Sequence, residues 1–467
     1  MRRLLDRQTF IVALVGAISL FFNGYYVTRN DEFSLLIVYI ILTGLFLYAF
    51  PFWKSVVKLK FEFKQVLFIA VIFRLVLLFS TPNLSDDYYR FIWDGDLISK
   101  GYNPYEHKPI DQQFESVIEK SRLECRTFNG NETFPEGMNS KKYYSVYPPV
   151  NQAIFGLASF FAGDNSWLNI VFLRLFIIGF DIGVIIILSK LLLWFGKRKE
   201  LIVIYALNPL VITELTGNLH FEGVTLFFIL AAFWFLLVKR ELQAGLLYAF
   251  AICTKLIPIL FLPLFIFRMK WKKLFIFYSV IGFVTFLLFL PFTDVNLLET
   301  FGSSVGLYFK SFEFNASLYY IFRGIGFLVS GYNEIELIGQ IGQGLVLLAT
   351  IIILIKSRKE TELKNVIKYF VWLLLIYYSV ASVVHPWYVI YVLTFSIFTD
   401  LRFPLIWSFA VVLSYFAYRD VSVVNESYWL IGFEYLILLI AIVWDLRNIQ
   451  KRTSLRMSAT NEAISAS

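Results

Sequence analysis

The stretch "SDDYYRFIWDG" at positions 85–95 sits directly behind an apolar run, "VLFIAVIFRLVLLFS". It gathers the residue types of a reaction centre: the adjacent carboxylates Asp86 and Asp87, the cation Arg90, the ring of Trp93 and a third carboxylate, Asp94. A local reading needs no reaction. Ser85 can cap a helix starting at Asp86, because its hydroxyl accepts a bond from a free backbone N–H. First-turn acids suit the helix dipole, and Asp86–Arg90 and Arg90–Asp94 are both i,i+4 pairs. Position argues for more. The helix begins where the third apolar run ends, at the depth where amphipathic rings such as Tyr88, Tyr89 and Trp93 collect. A carboxylate acting on a lipid-linked substrate has to sit there.

Other candidates are scattered along the chain. The three histidines are His107 in "GYNPYEHKP", His220 in "GNLHFEG" and His385 in "VVHPWY". Their spacing makes no metal motif, and His220 and Glu222, two apart, would point away from each other on a helix. His107 reads equally as an ordinary interfacial residue. His220 and His385 favour a function, because both lie at breaks between apolar runs. Arg74, Arg174, Asp181, Glu214, Glu222 and Lys255 fall inside apolar runs, where each costs roughly 2.5–3.5 kcal/mol unless paired or hydrated. Arg174 and Asp181 are separated by about 10 Å of helix, so each needs a partner elsewhere, such as Arg74 for Asp181. Lys255 reads equally as half of a structural ion pair or as the cation for an anionic headgroup. In "YSVYPPVNQ", Tyr147, Pro148 and Pro149 form a stiff return to the membrane; Asn151 and Gln152 could line a sugar pocket.

These residues must be positioned by membrane helices. The chain of 467 residues is 58% hydrophobic and 16% charged, against about 25% charged in soluble domains. Many runs reach the roughly 20 residues that span a bilayer as helix, and they lack the alternation of a barrel. The expectation is an all-α polytopic membrane protein with about 12 to 14 crossings. Lys/Arg clusters such as "GKRKE", "VKRE", "RMKWKK" and "KSRKE" place their loops and both termini in the cytoplasm. The net charge of +8 is therefore a topology signal and not a nucleic-acid surface. "MRRLLDRQTFIVALVGAISLFF" reads as a first anchor, because no small-residue cleavage site follows. Cys125 and Cys253 form neither a disulfide framework nor a zinc spacing. The run at 242–267 has cations at both ends and is broken at "CTKLIPILFLP", so a pair of short helices is expected; 147–164 reads as re-entrant or interfacial. One membrane domain covers 1–450, with outward loops at 81–147 and 293–334 that carry chemistry or binding. Residues 451–467 read as a disordered cytoplasmic tail.

Taken in order, "SDDYYRFIWDGDLISKGYNPYEHKP", "YPP", "NPLVITELTGNLHFEG", "CTKLIPILFLP" and "HPWY" resemble the GT-C integral-membrane glycosyltransferases. The nearest flavour is that of bacterial lipid-linked-sugar mannosyltransferases, including relatives of the GPI-mannosyltransferase type. The resemblance spans roughly 65 to 390, and its Asp-Asp, WDG and NPY elements are the specific ones. It implies a hexosyltransferase, with mannose the hexose, using a polyprenyl-phosphate-sugar donor and inverting at the sugar. The acceptor is a glycan, lipid or protein on the extracytoplasmic side of the inner membrane. Such enzymes carry the acidic motif after the first span; here it follows the third run, so two extra N-terminal spans are implied. Asp86 or Asp87 would be the general base, with Asp86 preferred. Arg90, Lys255, Arg323 and His385 would serve the leaving phosphate. Trp93, Asp94, Tyr147, His220 and Glu222 complete the substrate-binding set. No metal ligand set is assigned; the family is mixed on a divalent metal, and one between two carboxylates stays open. The alternative is a secondary transporter or flippase for a lipid-linked sugar, since broken helices and buried charges also suit transport.

Overall fold

The computed structural model describes residues 5–50, 62–110, 125–127, 130–132, 138, 140–293, 296–419 and 424–465. The lysine-rich link at 54–60 and most of 111–139 lie outside these residues.

Helices follow the apolar runs. The first are α1 (Arg7–Tyr25), α2 (Glu32–Ala49) and α3 (Phe63–Val76). Then come α4 (Asp87–Ser99), α5 (Pro149–Ala162) and α6 (Ser166–Trp194). Side-chain caps set several starts. Asp6 accepts from the Thr9 N–H at 2.8 Å, Asp31 from Ser34 at 3.2 Å and Asn165 from Leu168 at 3.0 Å, each satisfying a backbone donor that a helix start leaves free. Between α3 and α5, a short ribbon pairs β1 (Cys125–Thr127) with β2 (Gly130–Glu132).

Next is a pair bent by 50°, Lys199–Ala206 and Pro209–Gly217. Its second half ends in a π-helical turn, Ile212–Gly217. It is followed by α7 (Glu222–Leu237) and α8 (Glu241–Ile252). As the prolines and Lys255 foretold, α8 stops and a 3-10 helix, Ile257–Phe265, resumes after the break. Then follow α9 (Trp271–Phe289), α10 (Leu297–Lys310) and α11 (Leu318–Ser330). The remainder comprises α12 (Ile335–Lys356), α13 (Val366–Val380), α14 (Val389–Ser396), α15 (Phe403–Ala410) and α16 (Tyr428–Ser465).

The protein is an all-α polytopic membrane protein. Among the described residues, seven helices are long and apolar enough to cross a bilayer, or eight with the bent pair. The other apolar runs are short or broken, including α7, α8, α11 and Phe403–Tyr418. The last helix continues through 451–465, where composition predicts a disordered tail; that segment has no Gly or Pro, and extending a formed helix needs no new nucleus.

The buried ion pair expected across helices is present. Arg74 Nε donates to Asp181 at 2.5 Å, and Asp181 also accepts from the Tyr205 hydroxyl at 2.6 Å. The pair joins α3 to α6, both side chains being fully buried, and low-dielectric surroundings strengthen such contacts. α5 and α6 pack together, and α4 lies along α5.

Candidate functional site

The acidic helix is seated by close packing. Gly95 is the glycine of "WDG"; a Cβ there would lie 2.5 Å from the Phe155 carbonyl oxygen and 2.5 Å from Ser159 Oγ. Only glycine allows α4 to approach α5 so closely. The same interface buries Asp94, which accepts from Arg90 Nε at 2.6 Å, from Gln152 Nε2 at 2.9 Å and from the Ser145 hydroxyl. Arg90 also donates to the Tyr143 carbonyl at 2.7 Å. Trp93 is buried beside them. Arg90, Trp93 and Asp94 thus face inward, and the groups described around the Arg90–Asp94 knot belong to the protein. Asn151 and Gln152 are fully buried as well, and their amides donate to the Thr254 and Tyr147 carbonyls at 2.9 and 3.2 Å.

The helix start differs from its local reading by one residue. Asp86 is the N-cap, α4 begins at Asp87, and Ser85 Oγ accepts from the Asp87 N–H at 3.3 Å. Of the two anticipated i,i+4 pairs, only Arg90–Asp94 has formed. Asp86 lies outside the helix and is bound instead by Arg29 from the α1–α2 turn, at 2.5 Å. Arg29 in turn stands over the Tyr418 ring at 5.2 Å.

Asp87 faces a different set. The Tyr147 hydroxyl hydrogen-bonds it, and the charges of Lys255, Asp86 and Glu222 act on it. Lys255 reaches this place through the break in the α8 pair. The Val150 N–H donates to the Cys253 carbonyl at 2.9 Å, and Asn151 Nδ2 donates to the Thr254 carbonyl at 2.9 Å. The N-terminus of α5 therefore takes up carbonyls that the end of α8 leaves free. Lys255 Nζ is paired with Glu222, the first residue of α7.

Two histidines close the group. His220 stacks on Trp387 with ring centroids 3.6 Å apart, and His385 stacks on the same tryptophan at 4.3 Å. His220 Nε2 also stands 3.4 Å from buried Glu214, whose carboxylate accepts from the Tyr415 hydroxyl at 2.5 Å. The segment 293–334 touches this stack. Phe314 forms a parallel bridge with Val383 and lies 4.9 Å from the His385 ring.

Electrostatics sort these groups. Burial, opposed by Lys255 and reinforced by Asp86 and Glu222, raises the Asp87 carboxyl to about 6. Burial first, and then the Lys255 charge, push His385 down to about 3. It is a neutral imidazole at neutral pH and supplies no cation. The same causes, with His385 added, depress His220. Lys255 is the ammonium within this cluster. Among the described residues no group of three or more His, Cys, Asp or Glu side chains could hold a metal ion. Asp86 is matched by Arg29, and Glu222 by Lys255.

The structure thus brings Asp86, Asp87, Tyr147, His220, Glu222, Lys255 and His385 together. Arg323 stands in another cluster: it pairs with Glu313, donates to the Tyr428 hydroxyl at 2.7 Å and lies over the Tyr320 ring at 4.8 Å. His107 sits beside Tyr102 at 6.2 Å between ring centroids. Sequence reasoning missed Arg29, in a loop that reads as mixed charge, and Trp387, present in "HPWY" but passed over for its histidine. It counted Glu214 only as a buried charge.

An all-α chain of several membrane helices, with a buried cluster of ionisable side chains gathered at their ends, defines a polytopic membrane protein. A family profile described as "Alpha-(1->6)-mannopyranosyltransferase, N-terminal domain" matches residues 17–270. The chain belongs to this family, which makes it a mannosyltransferase-family protein of the membrane. The match takes in Asp86, Asp87, Tyr147, His220, Glu222 and Lys255 and leaves Arg323 and His385 beyond it. It begins inside α1, so α2 and the C-terminal part of α1, read from sequence as additions, lie within the family domain. A search of curated proteins finds no match.

Proposed function

We propose that the protein transfers a mannosyl group from a polyprenyl-phosphate-linked donor to an acceptor hydroxyl on the extracytoplasmic face, with Asp87 as general base. The supporting observation is the surroundings of Asp87: a carboxyl near 6, facing an ammonium and a tyrosine hydroxyl. A base is most effective when its pKa lies near the operating pH. Asp86, neutralised by Arg29, is the poorer base. In the step, the acceptor oxygen bonds to the anomeric carbon and its proton passes to Asp87. The carbon–oxygen bond to phosphate breaks, and its electron pair leaves with the polyprenyl phosphate. A single displacement of this kind inverts the sugar. Lys255, oriented by Glu222, meets the charge developing on the phosphate, where a fixed cation in a dry site is most effective. His220 and His385 are neutral and support the step as ring walls and N–H donors around Trp387. No step is routed through a metal.

The test is transfer by purified protein given polyprenyl-phosphate-mannose and candidate glycan, lipid and protein acceptors. Asp87→Asn should lose about 10²- to 10⁴-fold in kcat, the range for a positioned base, while Asp86→Asn keeps measurable transfer. Full activity in Asp87→Asn, or the reverse order, overturns the assignment. Movement of the lipid-linked sugar across vesicles without transfer would point to the flippase instead.

A further inference from the structure

We propose that Arg174 is a positioning residue that sets the spacing between the two loops of the reaction cluster; this rests on the reading of Asp87 above. Arg174 lies in α6 and is fully buried. Its Nε donates to the Thr216 carbonyl at 2.7 Å and its Nη2 to that of Gly217 at 3.1 Å. Its Nη1 donates to the carbonyls of Leu78 at 2.9 Å and Ser80 at 2.6 Å. All of these acceptors are backbone oxygens. Arg74 also reaches backbone carbonyls, those of Ala70 and Ala206, but it is neutralised by Asp181, whereas the hydrogen bonds of Arg174 all go to the carbonyls of two stretches of chain.

Those stretches lead into the site. Beyond Ser80 the chain runs to Asp86 and Asp87, and beyond Gly217 it runs to His220 and Glu222. Both begin where helices end, so their carbonyls lack intrahelical partners and carry partial negative charge. One of these ends is the π-helical turn Ile212–Gly217, and two residues later Leu219 has φ +63°. A left-handed leucine persists only when its surroundings over-determine it. The guanidinium supplies that hold at Thr216 and Gly217. A second link closes the same gap nearer the site, where the Leu84 N–H donates to Asn218 Oδ1 at 3.3 Å. Arginine suits the position because its planar fork reaches several acceptors at once, whereas a lysine ammonium is a single point on a flexible stem.

The experiment compares Arg174→Lys and Arg174→Gln with wild type and Asp87→Asn, using polyprenyl-phosphate-mannose. Misplacing reacting groups lowers kcat more than KM, by about tenfold to a hundredfold. It should also move the acid limb of kcat/KM, since Asp87 is tuned by Lys255, Asp86, Glu222 and Tyr147, with Arg29 and Tyr418 beside Asp86. A lower kcat with near-constant donor KM and a displaced limb supports positioning. Wild-type kcat, or a loss of amplitude with an unmoved limb, overturns it. Should the Arg174 variants not fold, Asn218→Ala, which breaks the second link together with the Asn218–Glu214 bond and leaves the Arg174 contacts in place, carries the same two outcomes. Full transfer by Asp87→Asn would fail the base assignment and leave the kcat–KM split of the Arg174 variants to decide the positioning role.

Discussion

Asp86 and Asp87 are adjacent, yet they meet different charges. Arg29 neutralises the first, while the second stands among Lys255, Glu222 and a tyrosine hydroxyl. With the Asp87 carboxyl near 6, its base form fills as pH rises through that value. The proposed transfer should therefore climb about tenfold per unit below pH 6 and level off above it. Asp86→Asn removes a neighbouring negative charge and releases Arg29, so the limb should shift to lower pH; a shift upward would contradict this geometry. The linkage has the opposite sign for stability. A carboxyl raised from 3.8 destabilises the fold as pH rises from the unfolded value through the folded one. Asp87→Asn should accordingly transfer far more slowly and yet melt at a higher temperature at neutral pH. The acidic pair itself was legible in the sequence, but the ranking of its members was not. Arg29 lies 57 residues away from Asp86, and nothing in "TRNDEF" marks it as a partner.

At the scale of the helix, α4 is a site element that works through what its far face packs against. Its WDG glycine permits contact with the backbone of α5, and Arg90, Asp94, Ser145 and Gln152 lock that contact. Gly95→Ala tests the packing. Alanine favours an isolated helix by up to about 1 kcal/mol, but here its methyl would strike the Phe155 carbonyl. Overpacking of this kind costs about 1–3 kcal/mol, so the melting temperature in detergent should fall. An unchanged or higher value would show that α4 and α5 are not so closely joined. The motif stood out in sequence as one unit. The structure divides it: Asp86 and Asp87 face the cluster, while Arg90, Trp93 and Asp94 hold the helix in place.

For the whole molecule, the sided distribution of charge makes a prediction of its own. Tyr102 is exposed after α4, and Arg198 is exposed after α6. In a background lacking Cys125 and Cys253, Tyr102→Cys should react with a membrane-impermeant thiol reagent in intact cells. Arg198→Cys should react only after permeabilisation. The reversed pattern would put the cluster on the cytoplasmic side and overturn the extracytoplasmic reading. The segment 293–334 belongs to this scale too. Through Phe314 it reaches Val383, just before His385, while Arg323, placed in it, is committed to Glu313 and Tyr428.

Apolar runs, the broken segment at Lys255 and the cationic punctuation were readable along the chain because each depends on neighbours a few residues apart. Hydrophobic length sets helices in a membrane, and proline and glycine interrupt them locally. Even the Arg74–Asp181 pair could be anticipated, since an isolated buried charge is too costly to leave alone. The meeting of Asp87 with Lys255, the three-ring stack on Trp387 and the carbonyls gathered by Arg174 were not readable. They join segments far apart in sequence, and which charge balances which is decided by distance in space and by the absence of screening water. "SDDYYRFIWDG" announces a capped acidic helix at a membrane edge; folding supplies the cation that makes one aspartate a partner of Arg29 and the burial that leaves the other poised near neutrality.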